Sequence, residues 1–178
     1  MSWPFDPEKA RLLLKDAGKL AHLDDAELSA IYHPGDKWEM LYLTAELRRL
    51  LGLNISVEAI SWTDWLHRIR SDPPMMFIVS WSADYADPTN FLDDGLHYLR
   101  RIWNQPDFWD LVDEARYEIN ESKRLALCRQ ADKILIDQAV MVPLYHGRNH
   151  WLVKPWIRNW SLSPSAFPNM ANVIIEPH

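Results

Sequence analysis

Two hydrophobic periods take turns along the first half of this chain. Ala10, Leu13, Leu14 and Ala17 recur at helical spacing, with Asp6 placed to cap them, Pro7 suited to a first helical position and Gly18 placed to end the run. The stretch 19–27 is polar and reads as loop, and Leu28 to Tyr32 is a short strand candidate. His33-Pro34-Gly35-Asp36 reads as a turn ending in a capping acid. The next helix runs to about Leu51, with Trp38, Leu41, Tyr42 and Ala45 on one face and Gly52 after it. Ile55, Val57 and Ala59 then alternate as a strand does, and Trp62, Trp65, Leu66 and Ile69 return to helical spacing. Asp72-Pro73-Pro74 breaks that helix. The run from Met75 to Trp81 is almost unbroken in apolar residues, which predicts a strand covered on both faces. Helix and strand thus alternate three times, a pattern that predicts right-handed crossovers and a largely parallel sheet.

After Pro88 the pattern is irregular until Asp107. Phe108, Leu111, Val112 and Ala115 mark a helix, and Leu127, Ala131, Ile134 and Leu135 mark another, joined through Asn120-Glu121-Ser122. Val140 to Tyr145 and Trp151 to Val153 read as strands around a turn at Gly147. From Pro155 onward prolines and asparagines replace any periodicity, so this tail is expected to pack on another part of the molecule.

Composition narrows the function classes. The chain has 178 residues, enough for one ordinary domain or one large lobe, and 48% of them are hydrophobic, enough for a sizeable core. A net charge of -6 disfavours nucleic-acid binding through a basic surface. The single cysteine, Cys128, excludes an intrachain disulfide and lies in a helical apolar pattern, as a buried structural thiol does. No apolar run approaches the ~20 residues of a membrane span, and the first residues show no charged-then-apolar export signal. Ten tryptophans fit a Trp-rich core, an aromatic cleft, or both.

The candidate chemistry gathers where the covered strand stops. There Trp81-Ser82-Ala83-Asp84-Tyr85-Ala86-Asp87-Pro88 sets one acid between two aromatic rings. Open α/β sheets bind ligands outside the carboxyl ends of such strands, so Asp84 is placed to hold a cationic group. Asp87, before Pro88, suits a turn better than a ligand. A glycosidase would need two carboxyls facing each other across a cleft, which neighbours on one tight turn seldom do. His146 and His150 are four apart, but Gly147 between them argues for a turn, so no helical metal pair is implied. The acids Asp107, Asp110, Asp113 and Glu114 complement a helix N-terminus. The chain carries no Gly-rich phosphate loop and no G-x-S-x-G elbow.

Five segments together resemble the C-terminal part of the family-5 extracellular solute-binding proteins, the peptide, dipeptide and nickel receptors of ABC importers. They are the run from Phe5 to Gly18, the run from Leu51 to Glu58 with Trp62 and Leu66 after it, the run from Trp81 to Leu92, the helix around Asp110 to Arg116, and Val142 to His146 followed by Leu152 to Trp156. The resemblance implies a type II periplasmic-binding-protein-like α/β lobe, with a mostly parallel sheet flanked by helices and the second lobe missing. It divides the chain into a ligand-binding lobe, residues 1–154, and a tail, residues 155–178, that returns to the other lobe in full-length relatives. It implies capture without catalysis and without a cofactor. In peptide-binding members the acid matching Asp84 pairs with the ligand's α-amino group, Trp81, Ser82 and Tyr85 line the same pocket, and Trp62 matches another position near the ligand. The implied partners are a short peptide and, in the full-length form, an ABC permease, in the periplasm or at the cell surface. A sugar- or nickel-binding relative of the same fold is the alternative. The resemblance breaks between Leu92 and Asp107, where Gly95 to Trp103 replaces the family's usual Asn- and Gly-rich loop. The apolar tail residues Trp156, Trp160, Phe167 and Ile174 would need a new partner here, through folding back or through self-association.

Overall fold

A computed structural model describes residues 4–16, 28–148, 150–162 and 168–177. They fall into two compact units that divide between Ser80 and Trp81.

The first unit is built on three parallel strands. Strand β1 (Leu28–Tyr32) lies between β2 (Ile55–Ala59) and β3 (Met76–Phe77). Leu28 pairs with Ile55 and Tyr32 with Ala59 along one edge, while Ala30 and Ile31 pair with Met76 and Phe77 along the other. Successive strand residues point to opposite faces, and both faces are covered. Ala30 and Tyr32 pack with Met40 of helix α2 (Lys37–Leu51), joined by Ile55, Val57, Met76 and Ile78. Ile31 packs with Trp65 and Ile69 of helix α3 (Trp62–Ser71), joined by Phe77 and Val79. The apolar run around β3 therefore serves two cores in alternation, although only Met76 and Phe77 join the ladder.

Helix α1 (Pro7–Asp16) is capped as expected, with the Lys9 backbone N–H donating to Asp6 Oδ1 at 2.9 Å. The predicted stop at Gly18 and the loop 19–27 lie outside the described residues. Helix α2 ends on Gly52, whose φ of 72° is left-handed and whose N–H donates to the Arg48 carbonyl. Two expectations for this region are corrected. Asp36 makes no side-chain cap to α2; it sits 3.3 Å from His33 Nδ1, and that same nitrogen accepts the Gly35 N–H at 3.0 Å to cap the short 3-10 turn Pro34–Asp36. Nor does the aromatic stripe of α2 face the sheet. Trp38 and Tyr42 are exposed, while Met40 and Thr44, four residues apart, are buried. The Thr44 hydroxyl is satisfied within the helix by the Met40 carbonyl at 2.9 Å, so burying it leaves no orphan polar group.

The second unit centres on helices α5 (Pro106–Tyr117) and α6 (Glu121–Asp137), joined at Asn120, whose side chain accepts from the Lys123 N–H. Phe108, Trp109, Val112 and Ala115 are buried from α5, and Cys128, Ala131, Leu135 and Ile136 from α6. Burial, and then the negative charge of Asp87, push the Cys128 thiol up from its ordinary value, as suits a structural cysteine. The segment read as irregular is in fact ordered: helix α4 (Pro88–Leu92) is followed by a 3-10 helix, Asp94–Arg101. Its buried residues are Gly95, Leu96, Tyr98 and Leu99, two pairs spaced by three. That spacing is the 3-10 period and not the 3.6 of an α-helix, which is why an α or strand template misses it. Burial pushes the Tyr98 phenol up to about 12. Buried Asp93 fastens this segment to α5, receiving Arg116 at 2.7 Å and Arg100 at 3.3 Å. Arg100 also pairs with Asp113 at 2.6 Å and lies 4.3 Å from the Trp109 ring centroid.

The strands expected at Val140 to Tyr145 and Trp151 to Val153 do not form among the described residues. A strand exists only through a neighbour's ladder; among the described residues these stretches join no ladder, and Val142, Tyr145 and Leu152 are exposed. The tail pairs with itself instead. Strand β4 (Ile157–Arg158) pairs antiparallel with β7 (Ile174–Ile175), and β5 (Ser161–Leu162) with β6 (Pro168–Asn169). Phe167 lies outside the described residues.

Candidate functional site

The loop 81–87 follows β3 in sequence and ends at the start of α4. Its closing residue, Asp87, is the helix cap. Asp87 Oδ1 accepts the Thr89 N–H at 3.0 Å and the Thr89 hydroxyl at 2.8 Å, and Oδ2 accepts Arg124 Nε of α6 at 2.8 Å. Burial by itself would raise this carboxyl. The Thr89 donors and the Arg124 guanidinium outweigh it and hold Asp87 below the ordinary carboxylate range. A depressed folded pKa adds stability that is present above the unfolded value of ~3.9 and is lost as pH falls through the folded value. Asp87→Ala is therefore expected to lower stability by about 1–2 kcal/mol at pH 7, with a smaller gap between parent and variant at pH 3. Urea unfolding at the two pH values checks this; a gap that stays constant with pH would refute the charged cap.

At the centre of the site is a residue that the pattern of apolar and polar positions did not single out. Asn90, on α4, is fully buried at 0% exposure. Its Oδ1 accepts Trp81 Nε1–H at 2.7 Å and the Asp84 backbone N–H at 3.2 Å. Its Nδ2 donates to Asp94 Oδ2 at 3.0 Å and reaches Asp84 Oδ2 at 3.4 Å. The Tyr85 hydroxyl donates to the same Asp94 oxygen at 2.9 Å. Gly95 lies against the Trp81 ring, where an added Cβ would meet Cγ at 3.1 Å. The available signal was an amide beside Phe91 and Leu92 in a short helix, three residues after a capping acid.

Of the predicted residues, the structure joins Trp81, Asp84 and Tyr85 in one hydrogen-bonded group through Asn90 and Asp94. Asp84 and Ser82 are exposed, as are Trp81 at 40% and Tyr85 at 46%. Trp62 belongs to the first unit. There its ring stacks on Trp65 at 5.1 Å and meets His33 edge-on at 5.3 Å. A cavity of about 880 Å³, lined by Leu41, Thr44, Arg48, Leu53 and Ile55 among others, also lies in the first unit and includes none of the predicted site residues. Among the described residues no three His, Cys, Asp or Glu side chains converge as metal ligands, and no helix is long and apolar enough to cross a membrane.

Residues 1–99 match the family described as bacterial extracellular solute-binding proteins, family 5 Middle. The chain belongs to this family. Di/tripeptide-binding protein 2 of Pseudomonas aeruginosa is 26% identical over 183 residues, covering 98% of this chain and 34% of that protein. Heme-binding protein A of Haemophilus influenzae is also 26% identical, over 185 residues, with the same coverage of 98% and 34%. The structure of MppA, the periplasmic murein tripeptide-binding protein of Escherichia coli, superposes with a TM-score of 0.73 at 21% identity, over 89% of this chain and 34% of that one. This family-5 chain thus spans about a third of the length of the relatives it matches. Its fold is part of a type II periplasmic-binding-protein lobe, and its relatives are solute-binding proteins, not enzymes.

Proposed function

We propose that this chain is the amine-gripping part of a peptide receptor for an ABC-type importer. Asp84 is the acid that takes the α-amino group of a short peptide, with Trp81, Ser82 and Tyr85 beside it. Residues 1–154 act as the ligand-binding lobe and residues 155–178 as the tail that returns to the other lobe. One observation carries the proposal. Asp84, which follows Trp81 and precedes Tyr85 in sequence, is exposed, and among the described residues its carboxylate receives only the 3.4 Å contact from Asn90, too long for a strong hydrogen bond. Its acceptor capacity is left for a cation. A peptide presents the same amine and backbone whatever its side chains, so one carboxylate at the amine gives affinity with little sequence preference.

Identity alone does not choose the cargo, since a heme-named relative matches as well as a di/tripeptide-named one. The exposed acid favours an amine over a flat anionic macrocycle. An exposed ion pair contributes only about 0–1 kcal/mol, so the chain by itself is expected to bind trialanine no more tightly than the millimolar range, preferring it over N-acetyl-trialanine by up to about fivefold. NMR titration of the chain with both peptides reads this directly. Equal affinity for the two would remove the amine from the mechanism, and submicromolar binding would show that no second lobe is required.

A further inference from the structure

We propose that Asn90 is the positioning residue of this site, and that its one amide places Trp81 and Asp84 before any ligand arrives. The inference rests on the amine-capture reading above. The Asn90 amide makes three close hydrogen bonds, accepting on Oδ1 from the Trp81 indole and the Asp84 backbone and donating from Nδ2 to Asp94, and Nδ2 also makes the longer 3.4 Å contact with Asp84 Oδ2. The residue itself cannot drift. It is buried, and its backbone N–H donates to the Asp87 carbonyl at 3.1 Å inside a helix start that Asp87 caps. Its partners, by contrast, sit on or near the surface, where nothing else in the loop fixes an exposed carboxylate or a 40% exposed indole.

A buried amide left without partners is penalised, so the loop geometry that satisfies Asn90 is the geometry the loop keeps. Packing alone would be served by an apolar residue of similar size, whereas an amide directed at the loop selects one arrangement of it. Tyr85 closes the group from outside by donating to Asp94, and Gly95 leaves room for the Trp81 ring to lie flat against the helix start. Binding to a site already in place avoids the entropy of ordering it.

The test compares the parent chain with Asn90→Ala, Ile119→Ala and Asp84→Ala, following each by NMR with trialanine and with N-acetyl-trialanine. The up to about fivefold amine preference of the parent is expected to disappear in Asn90→Ala as it does in Asp84→Ala. It is expected to survive in Ile119→Ala, a substitution at a 94% exposed residue outside the site. An amine preference that persists in Asn90→Ala, or an equal loss of both peptides there, overturns the proposal while leaving the amine reading intact. A parent chain with no preference, indistinguishable from Asp84→Ala, overturns both. Should Asn90→Ala fail to fold, hydrogen exchange in the ligand-free parent decides: slow exchange of the Trp81 indole N–H and the Asn90 side-chain amide supports a preset loop, and fast exchange of both overturns it.

Discussion

Asp84→Ala is expected to weaken peptide binding by about 2–5 kcal/mol, roughly thirty-fold to a few thousand-fold, in a receptor that carries this chain together with the rest of the family fold. The size of the effect depends on water. On the chain alone Asp84 is exposed, and a charge pair in that setting is worth little. Closure of a second lobe over the loop would remove solvent from the pair, and truncating one partner would then leave a buried ammonium without its counter-charge. Asp84→Asn separates charge from shape: it keeps the size and one acceptor oxygen but not the charge, and its loss is expected to approach that of the alanine variant. Calorimetric titration with di- and tripeptides measures both. Affinity unchanged by Asp84→Ala would end the role assigned to this residue.

Phe108→Ala is expected to lower the stability of the second unit by about 3–5 kcal/mol. Phe108 is 0% exposed, and its ring centroid lies 4.9 Å from Trp103 and 4.7 Å from Trp109. Removing the ring leaves a cavity among side chains that cannot all move in to fill it. Domains are commonly stable by only 5–15 kcal/mol, so the loss is a large share of the total. The consequence reaches the candidate site, because α5 and α6 hold Asp93 and Asp87 through Arg116 and Arg124. Ile119→Ala is the control. Ile119 is 94% exposed, and its replacement is expected to change stability by no more than about 0.5 kcal/mol. Urea unfolding followed by tryptophan fluorescence compares the two, and a Phe108→Ala loss below 1 kcal/mol would show that this ring cluster is not the core of the unit.

Much of the first unit was legible because its signals are local. Asp6 and Gly52 mark helix ends by their own chemistry, and the apolar run at Met75 to Trp81 reveals two covered faces by having no polar phase. The α2 face was misread because that helix carries two candidate stripes. Trp38, Leu41, Tyr42 and Ala45 look more hydrophobic, yet the sheet takes Met40 and Thr44, and no count along one helix can say which stripe its neighbour will meet. The stretch Asp94–Arg101 was missed for a different reason, its period of three matching neither an α-helix nor a strand.

The linear order of residues determined by itself the parallel α/β class, the family, and the loop in which an acid stands between aromatic rings, since each follows from spacing over a few turns or from motifs in series. Folding decided the rest. It placed Asn90 at the centre of that loop, recruited Asp94 from the next helix, put Trp62 in a different unit, and left 140–145 and 151–153 outside any ladder among the described residues. Hydrogen-bond partners and strand neighbours are relations between distant positions, and a side chain's own identity does not state which of them it will find.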